Sequence, residues 1–381
     1  MRILIATGIY PPDIGGPATY VKELCEELPK RGFDITVLTY ADKEGCEREN
    51  DVRIVKVGRN HNTLVRYFLY FRQILLHKNI FDCIYVQDPV SAGVPVWFAS
   101  KILNKPYILK VVGDYAWEQG TQRFGVEGTV DEFQTKKYSF FVELMRFLQK
   151  CVAKSAKKII VPSKYLQKIV TDWIPNSSKI QVIYNALNPI YLEKTKEKIR
   201  EEKGLSGFVL LSIGRLVPWK GFSTLIDVTK ELSLSGKEVT LYVGGEGPDR
   251  EELQNRVNSL GLQKSVRFLG KLSHNDVLEY LKGSDVFVLN TQYEGLSHVL
   301  LEATLLRTPI ITTDVGGNPE IVKNGVNGVL VSYNDKRMLL EKIEEFSKKS
   351  FDCDEKKVQE LLENFDKQKT LDQLTDELQN V

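Results

Sequence analysis

The stretch Asp285-Val-Phe-Val-Leu-Asn290-Thr-Gln-Tyr-Glu294-Gly-Leu-Ser-His-Val-Leu-Leu-Glu302-Ala-Thr-Leu-Leu-Arg-Thr-Pro309-Ile-Ile311 decides how this chain folds. Its first six residues carry an unbroken apolar run, the pattern of a buried strand. The segment from Ala303 reads as helix end, turn and next strand. A strand therefore feeds a loop that opens a helix, the repeating unit of a parallel α/β sheet. Loops of this kind sit at the carboxyl ends of the strands, where ligands bind. The helix start also offers unpaired N–H groups and positive dipole to a phosphate. Ser297 is placed to cap that helix. Glu294 then stands in the loop and Glu302 about two turns into the helix, so that one ligand is gripped at two separated points. Paired glutamates on a helix are also common as solvated surface, and the spacing alone does not choose between the two readings.

Two upstream strand-turns add weight. Val209-Leu-Leu-Ser-Ile213 reads as a strand and Gly214-Arg215-Leu-Val-Pro-Trp-Lys220-Gly221 as a turn carrying two cations. An arginine fork and a mobile lysine suit a diphosphate. Val239-Thr-Leu-Tyr-Val243 is followed by Gly244-Gly-Glu-Gly-Pro248, glycines that allow a close backbone approach.

These residues, with Gly15-Gly16, Val266-Arg-Phe-Leu-Gly270, the Glu294/Glu302 pair, Gly316-Gly-Asn-Pro-Glu320 and Asn324-Gly325, resemble in order the motifs of glycosyltransferase family four, the retaining glycosyl transferases group one. The resemblance spans nearly the whole chain. It implies an α/β fold of the GT-B type: two doubly wound Rossmann-like domains facing a central cleft, with a C-terminal helix crossing back to the first. The expected boundaries are 1–190 for an acceptor-side domain, 191–360 for a nucleotide-sugar domain and 361–381 for the returning helix.

Composition agrees with that plan. The 381 residues suffice for two domains with separate cores. A net charge of +2 argues against a nucleic-acid binder. The halves differ: residues 1–190 hold 26 Lys and Arg against 19 Asp and Glu, and the remainder 26 against 31. A basic first half points to an anionic partner or membrane surface. Five cysteines without C-x-x-C spacing suggest neither a disulfide framework nor a zinc site. The apolar run at the amino terminus is too short for a signal peptide or a membrane span, and a cytoplasmic location is expected.

Strands are expected at 2–7, 35–39, 54–57, 83–86, 107–112, 158–161 and 180–183. After the charged stretch 193–203, which reads as a helix, a second set is expected at 209–213, 239–243, 266–268, 285–289, 309–312 and 328–331. The tail from Asp354 carries apolar residues at helical spacing, among them Leu371, Leu374 and Leu378.

Transfer from a nucleotide sugar builds negative charge on the departing diphosphate. No metal-binding Asp-x-Asp stands in a suitable loop, so the charge falls to Arg215, Lys220 and the N–H groups near Gly295, Leu296, Ser297, His298 and Val299. The resemblance likewise implies that no metal and no cofactor is needed. It assigns Glu294 to the donor sugar as the catalytic carboxylate, Glu302 to the ribose and the Leu272 backbone to the base. Gly15 and Gly16 become a glycine loop near the diphosphate. Asp114 stands where many family members carry histidine; it reads either as a group assisting the acceptor or as a helix cap. Asn185-Ala-Leu-Asn188 departs from the family's usual Asn-Gly-Val-Asp hinge.

Residues 63–78 and 136–158 mix aromatic and aliphatic residues with cations. Such helices lie at anionic bilayers or supply the core of the first domain. The expected partners are thus a UDP- or GDP-sugar donor, a glycan or lipid-linked acceptor for cell-surface polysaccharide or glycolipid synthesis, and weak peripheral contact with an anionic membrane. Competing readings are an epimerase or phosphorylase of the same fold and a non-catalytic nucleotide-sugar sensor. A dinucleotide-dependent dehydrogenase is disfavoured because no G-x-G-x-x-G follows the first strand.

Overall fold

Strands as short and uniformly apolar as Cys83–Val86 and Val286–Leu289 are buried along their whole length, as strands sheathed by helices on both faces must be. In a computed structural model of the chain, which describes residues 1–13, 15–186, 190–349 and 351–381, such strands form two sheets. The chain divides into two units, Met1–Tyr184 with Gln368–Val381, and Asn185–Lys367. The boundary falls at Tyr184/Asn185 rather than at 190. Leu187, Asn188 and Pro189, part of the expected hinge, lie outside the described residues, as does Ile14 of the first loop.

The first unit contains β1 (Arg2–Ala6), α1 (Gly16–Glu27), β2 (Asp34–Ala41), β3 (Gly45–Glu49), β4 (Val52–Gly58), α2 (Thr63–Leu76), β5 (Cys83–Val86) and α3 (Gly93–Leu103). It continues with β6 (Tyr107–Lys110), α4 (Tyr115–Arg123), α5 (Val130–Thr135), α6 (Phe140–Ser155), β7 (Lys158–Val161), α7 (Lys164–Thr171) and β8 (Ile180–Val182). The sheet order is β3-β4-β2-β1-β5-β6-β7-β8, parallel except where β3 runs antiparallel to β4. Every residue of β3 is exposed, and its Glu-Arg-Glu sequence suits a charged sheet edge that discourages further pairing.

The second unit contains α8 (Lys196–Lys203), β9 (Phe208–Ile213), α9 (Phe222–Leu234), β10 (Val239–Gly244), α10 (Arg250–Ser259), β11 (Val266–Gly270), α11 (His274–Gly283) and β12 (Val286–Leu289). It ends with α12 (His298–Leu305), β13 (Ile310–Thr313), α13 (Asn318–Ile321), β14 (Gly328–Val331), α14 (Lys336–Lys348) and α15 (Glu355–Leu362). All six strands are parallel, in the order β11-β10-β9-β12-β13-β14. Its core joins sheet residues such as Leu210, Val243 and Val288 to Ile226 and Ile343 of the covering helices. Asp285 fixes the entry to β12: its carboxylate accepts from the Val209 N–H, Lys196 and Arg200, each at 2.9 Å. Burial pushes this acid up, and those three partners outweigh it to leave its pKa lowered.

α16 (Lys367–Gln379) belongs to the first unit. Leu371, Leu374 and Leu378 pack in one cluster with Ile3 and Ile5 of β1 and Val21 and Leu24 of α1. Ion pairs from Asp372 to Arg31 and from Glu377 to Lys158 flank them. The return is thus made by α16, while α15 remains with the second unit.

Candidate active site

In the second sheet the chain starts at the centre with β9, runs outward to β11, then returns to β12 on the other side of β9. The carboxyl ends of β9 and β12 therefore flank a topological switch point, the position where open α/β sheets bind ligands. Two loops meet there. The loop after β9 ends in a short turn, Pro218–Lys220, and the loop after β12 carries Glu294. The Lys220 Nζ forms an ion pair with Glu294 Oε1, and both side chains are largely enclosed, at 14% and 16% exposure. The Ser297 hydroxyl accepts from the Leu300 N–H, at 3.4 Å, and so caps α12 as expected. No acidic residue stands in the first turn of that helix, which leaves the positive end of its dipole without a carboxylate of its own.

Glu302 is buried within α12, and its Oε1 lies 2.8 Å from the His274 Nε2 at the start of α11. That hydrogen bond holds the His274 imidazole above its ordinary pKa, against a smaller opposing effect of burial. The His298 Nε2, on the first residue of α12, lies 3.0 Å from the Asn185 Nδ2.

The loop between Asn290 and Glu294 is shaped by buried polar groups. The Asn290 amide donates to the Gly221 carbonyl at 3.1 Å and to Asn334 Oδ1 at 2.8 Å. The Thr313 hydroxyl donates to the Thr291 carbonyl at 2.6 Å, and the Thr291 hydroxyl to the Tyr293 carbonyl at 2.9 Å. Gly316, at φ +59°, lies so close that a Cβ there would stand 2.1 Å from the Glu294 carbonyl oxygen. Gly245 has the same relation to the Gly214 carbonyl, at 2.0 Å. The glycine-rich turns are thus spent in bringing neighbouring loops against one another.

The other predicted residues of the second unit follow its strands and open its helix α12. Arg215 is exposed after β9. Leu272, after β11, packs against Gly244, where a Cβ would come within 2.8 Å of it. Gly295 and Leu296 are buried and Val299 half-buried. Gly15 and Gly16 begin α1 in the first unit. A Cβ at Gly16 would meet no atom within 4 Å, so packing does not require glycine there.

Asp114 requires a correction. Its side chain is fully buried and caps α4, accepting from the Trp117 N–H at 3.1 Å. The amides of Gln134 and Gln149 complete its shell at 2.8 and 3.1 Å. Burial raises its pKa against these hydrogen bonds. A carboxylate so enclosed serves α4 and has no face for an acceptor, so of the two readings the cap prevails.

His274, Asn290 and Asn334 escaped the sequence reading, and Asn185 entered it only as part of the hinge. Each acts across 28 to 113 residues of chain. A polar residue closing the apolar run of β12 was the one available signal, at Asn290. Among the described residues no three His, Cys, Asp or Glu side chains are grouped to hold a metal ion.

Two doubly wound, mostly parallel sheets, the second with a cation-carboxylate pair and a helix start at its switch point, are the architecture of the GT-B fold. The family models agree. Residues 193–371 match the glycosyl transferases group 1 and residues 14–190 the glycosyltransferase family 4, and the chain belongs to this glycosyltransferase family. It is 26% identical over 347 residues to an uncharacterized glycosyltransferase of Methanocaldococcus jannaschii, covering 87% of this chain and 85% of the other. It is 27% identical over 354 residues to the mannosylfructose-phosphate synthase of Agrobacterium fabrum, covering 86% and 77%. Among solved structures, Anabaena HepE in complex with UDP-glucose superposes with a TM-score of 0.79 at 20% identity, covering 100% of both chains. Sucrose-phosphate synthase from Thermosynechococcus elongatus superposes with 0.82 at 18%, covering 100% and 98%. At these identities the structural likeness speaks for the fold. No described helix is long and apolar enough to cross a membrane.

Proposed function

We propose that the protein transfers a hexose from a nucleoside-diphosphate sugar, UDP- or GDP-linked, to a glycan or lipid-linked acceptor, with retention and without a metal ion. The Lys220–Glu294 pair at the switch point carries this reading: it sets a cation for the diphosphate beside a carboxylate for the sugar. On donor binding, Lys220 and Arg215 turn to the phosphate oxygens, with the N–H groups at the start of α12 completing an electrostatic clamp. Glu294 then holds the sugar hydroxyls and steadies positive charge on the ring, and Glu302 accepts the ribose hydroxyls. The Leu272 backbone takes the base. In the transfer step the anomeric C–O bond to the diphosphate breaks as the acceptor oxygen bonds to the same face. The acceptor proton passes to the departing phosphate oxygen. A structural neighbour in complex with UDP-glucose supports the donor class. The reading places the protein in the cytoplasm, in cell-surface polysaccharide or glycolipid synthesis.

The test is nucleoside-diphosphate release from a panel of UDP- and GDP-sugars, with chelator present. One donor is expected to react, with Glu294→Ala slower by about 10²-fold, the usual cost of losing one transition-state stabiliser. Donor binding without turnover on any acceptor extract would favour the sensor reading. Interconversion of the sugar with the diphosphate retained would favour an epimerase.

A further inference from the structure

The loops that follow β1 and β5 in the first unit open onto a cavity of about 840 Å³. Among the described residues neither Arg66 nor Arg123 has a carboxylate within ion-pair distance, whereas Arg59 on the same wall is held by Asp13 and Asp42. The Arg66 guanidinium lies over the Tyr40 ring, 5.7 Å from its centroid. Among the described residues its Nε is enclosed without a hydrogen-bond partner, and so is the Nε2 of Gln87, a cavity residue only 3% exposed. Native chains keep few enclosed donors without acceptors. Arg66, Arg123 and Tyr115 all line this one cavity. The carboxylates on the wall are Asp88 and Glu118. Asp88 is spent on the N–H groups of Val90, Ser91 and Ala92.

The mouth is of opposite character. Leu64, Phe124, Phe141 and Leu144 line the cavity and are 82%, 42%, 59% and 40% exposed. The rings of Phe124 and Phe141 stack with centroids 5.9 Å apart. Phe68 on α2 and Phe140 and Phe147 on α6 are exposed as well. Contiguous exposed aromatic and aliphatic side chains beside cations are the signature of a surface that enters a bilayer interface.

We propose that the cavity receives the acceptor as a bilayer-resident amphiphile bearing a phosphate. Its phosphate lies between Arg66 and Arg123, with the Gln87 amide donating to it, and its hydrocarbon leaves past Leu64, Phe141 and Leu144. This rests on the glycosyl-transfer reading and deepens it by naming the acceptor class. Guanidinium forks match phosphate oxygens. A wholly soluble sugar phosphate would leave the apolar mouth in water, and a neutral lipid would leave both cations and the amide unmatched.

Flotation with phosphatidylcholine vesicles, plain or doped with a long-chain isoprenyl phosphate, tests this without any donor. Binding is expected on doped vesicles only. It should weaken by about tenfold or more in Arg66→Gln/Arg123→Gln, the loss of a single good contact being of that order, and comparably in Leu64→Ser/Phe141→Ser. All four positions lie at least partly in solvent, and an unchanged thermal midpoint confirms that each variant is folded. Inorganic phosphate in solution is expected not to displace the protein. Equal binding to plain and doped vesicles, binding that ignores the arginine pair, or full displacement by inorganic phosphate would each overturn the inference. Wild-type donor binding, measured separately, distinguishes the two failures. Donor bound with doped vesicles refused defeats this inference alone, while vesicles bound with every donor refused defeats the transferase reading.

Discussion

Replacing Gly316 by alanine isolates what shapes the Glu294 loop. Two costs are separable. Gly316 has φ +59°, and a left-handed alanine costs about 1–2 kcal/mol. The new Cβ would also stand 2.1 Å from the Glu294 carbonyl oxygen, where ordinary contact begins at 3.4 Å, so Glu294 or Gly316 must move by roughly 1 Å. Gly325 supplies the control: it is equally left-handed, at φ +75°, with no atom within 4 Å of a Cβ. Both alanine variants should lower the thermal midpoint by a few degrees, about 2–4 °C per kcal/mol for a unit of this size. Only Gly316→Ala should slow nucleotide release further, by about 10²-fold, because a displacement near 1 Å at a reacting group has that effect. The assay is turnover on the reactive donor, normalised to folded protein. Equal turnover in the two variants would refute the reasoning, since the contact with Glu294 would then be of no consequence.

Other outcomes follow from the contacts described. Protonated His274 holds Glu302 in the free protein, so a ribose must displace it. Donor affinity is therefore expected to fall as pH drops through the raised pKa of His274 toward its ordinary value near 6.5, and His274→Ala should flatten the profile; a wild-type affinity independent of pH would sink the assignment. The stability from this pair has the same sign: it is fully present below the unfolded pKa and is lost as pH rises through the folded one. Asp114→Ala removes the α4 cap and strands two glutamine amides, a loss of about 2–4 kcal/mol in denaturant unfolding, while Asp114→Asn should keep turnover per folded molecule. An inactive but equally stable Asp114→Asn would return this residue to the acceptor side. Leu374→Ala in α16 should cost about 2–5 kcal/mol; a change under about 0.5 kcal/mol in the unfolding of the first unit, the range of surface substitutions, would mean that α16 is not part of its core.

Where sequence carries its own physics, the fold was legible. Buried parallel strands write themselves as apolar runs, and Cys83–Val86, Lys158–Val161 and Gly328–Val331 fall where the pattern put them. β3 was missed because all its residues face solvent, and Gly-Cys-Glu-Arg-Glu has neither apolar alternation nor bulk to mark a strand. At the candidate site, the loop of Glu294, the turn of Lys220 and the Ser297 cap were legible because a strand, a loop and a cap are local facts. Their settings were not, because His274 reaches Glu302 and Asn185 reaches His298 only after the sheet has assembled. Asp114 shows the converse difficulty: a carboxylate following a strand looks alike in sequence whether it meets a ligand or the two amides that enclose it here.

The placement of α16 has a bearing on how this chain comes to be folded at all. Tyr184 closes the first unit's sheet-bearing segment, yet three of its core leucines arrive only with residues 368–381. At ribosomal rates of about 5–20 residues per second, the intervening second unit takes roughly 10–40 s to synthesise. Throughout that interval the groove that Leu371, Leu374 and Leu378 will fill stands open on a nascent chain. The first-encoded unit must wait for the last-encoded helix to complete its core. A fragment ending at Tyr184 is thus expected to be poorly soluble alone and to be rescued by a peptide spanning residues 367–381.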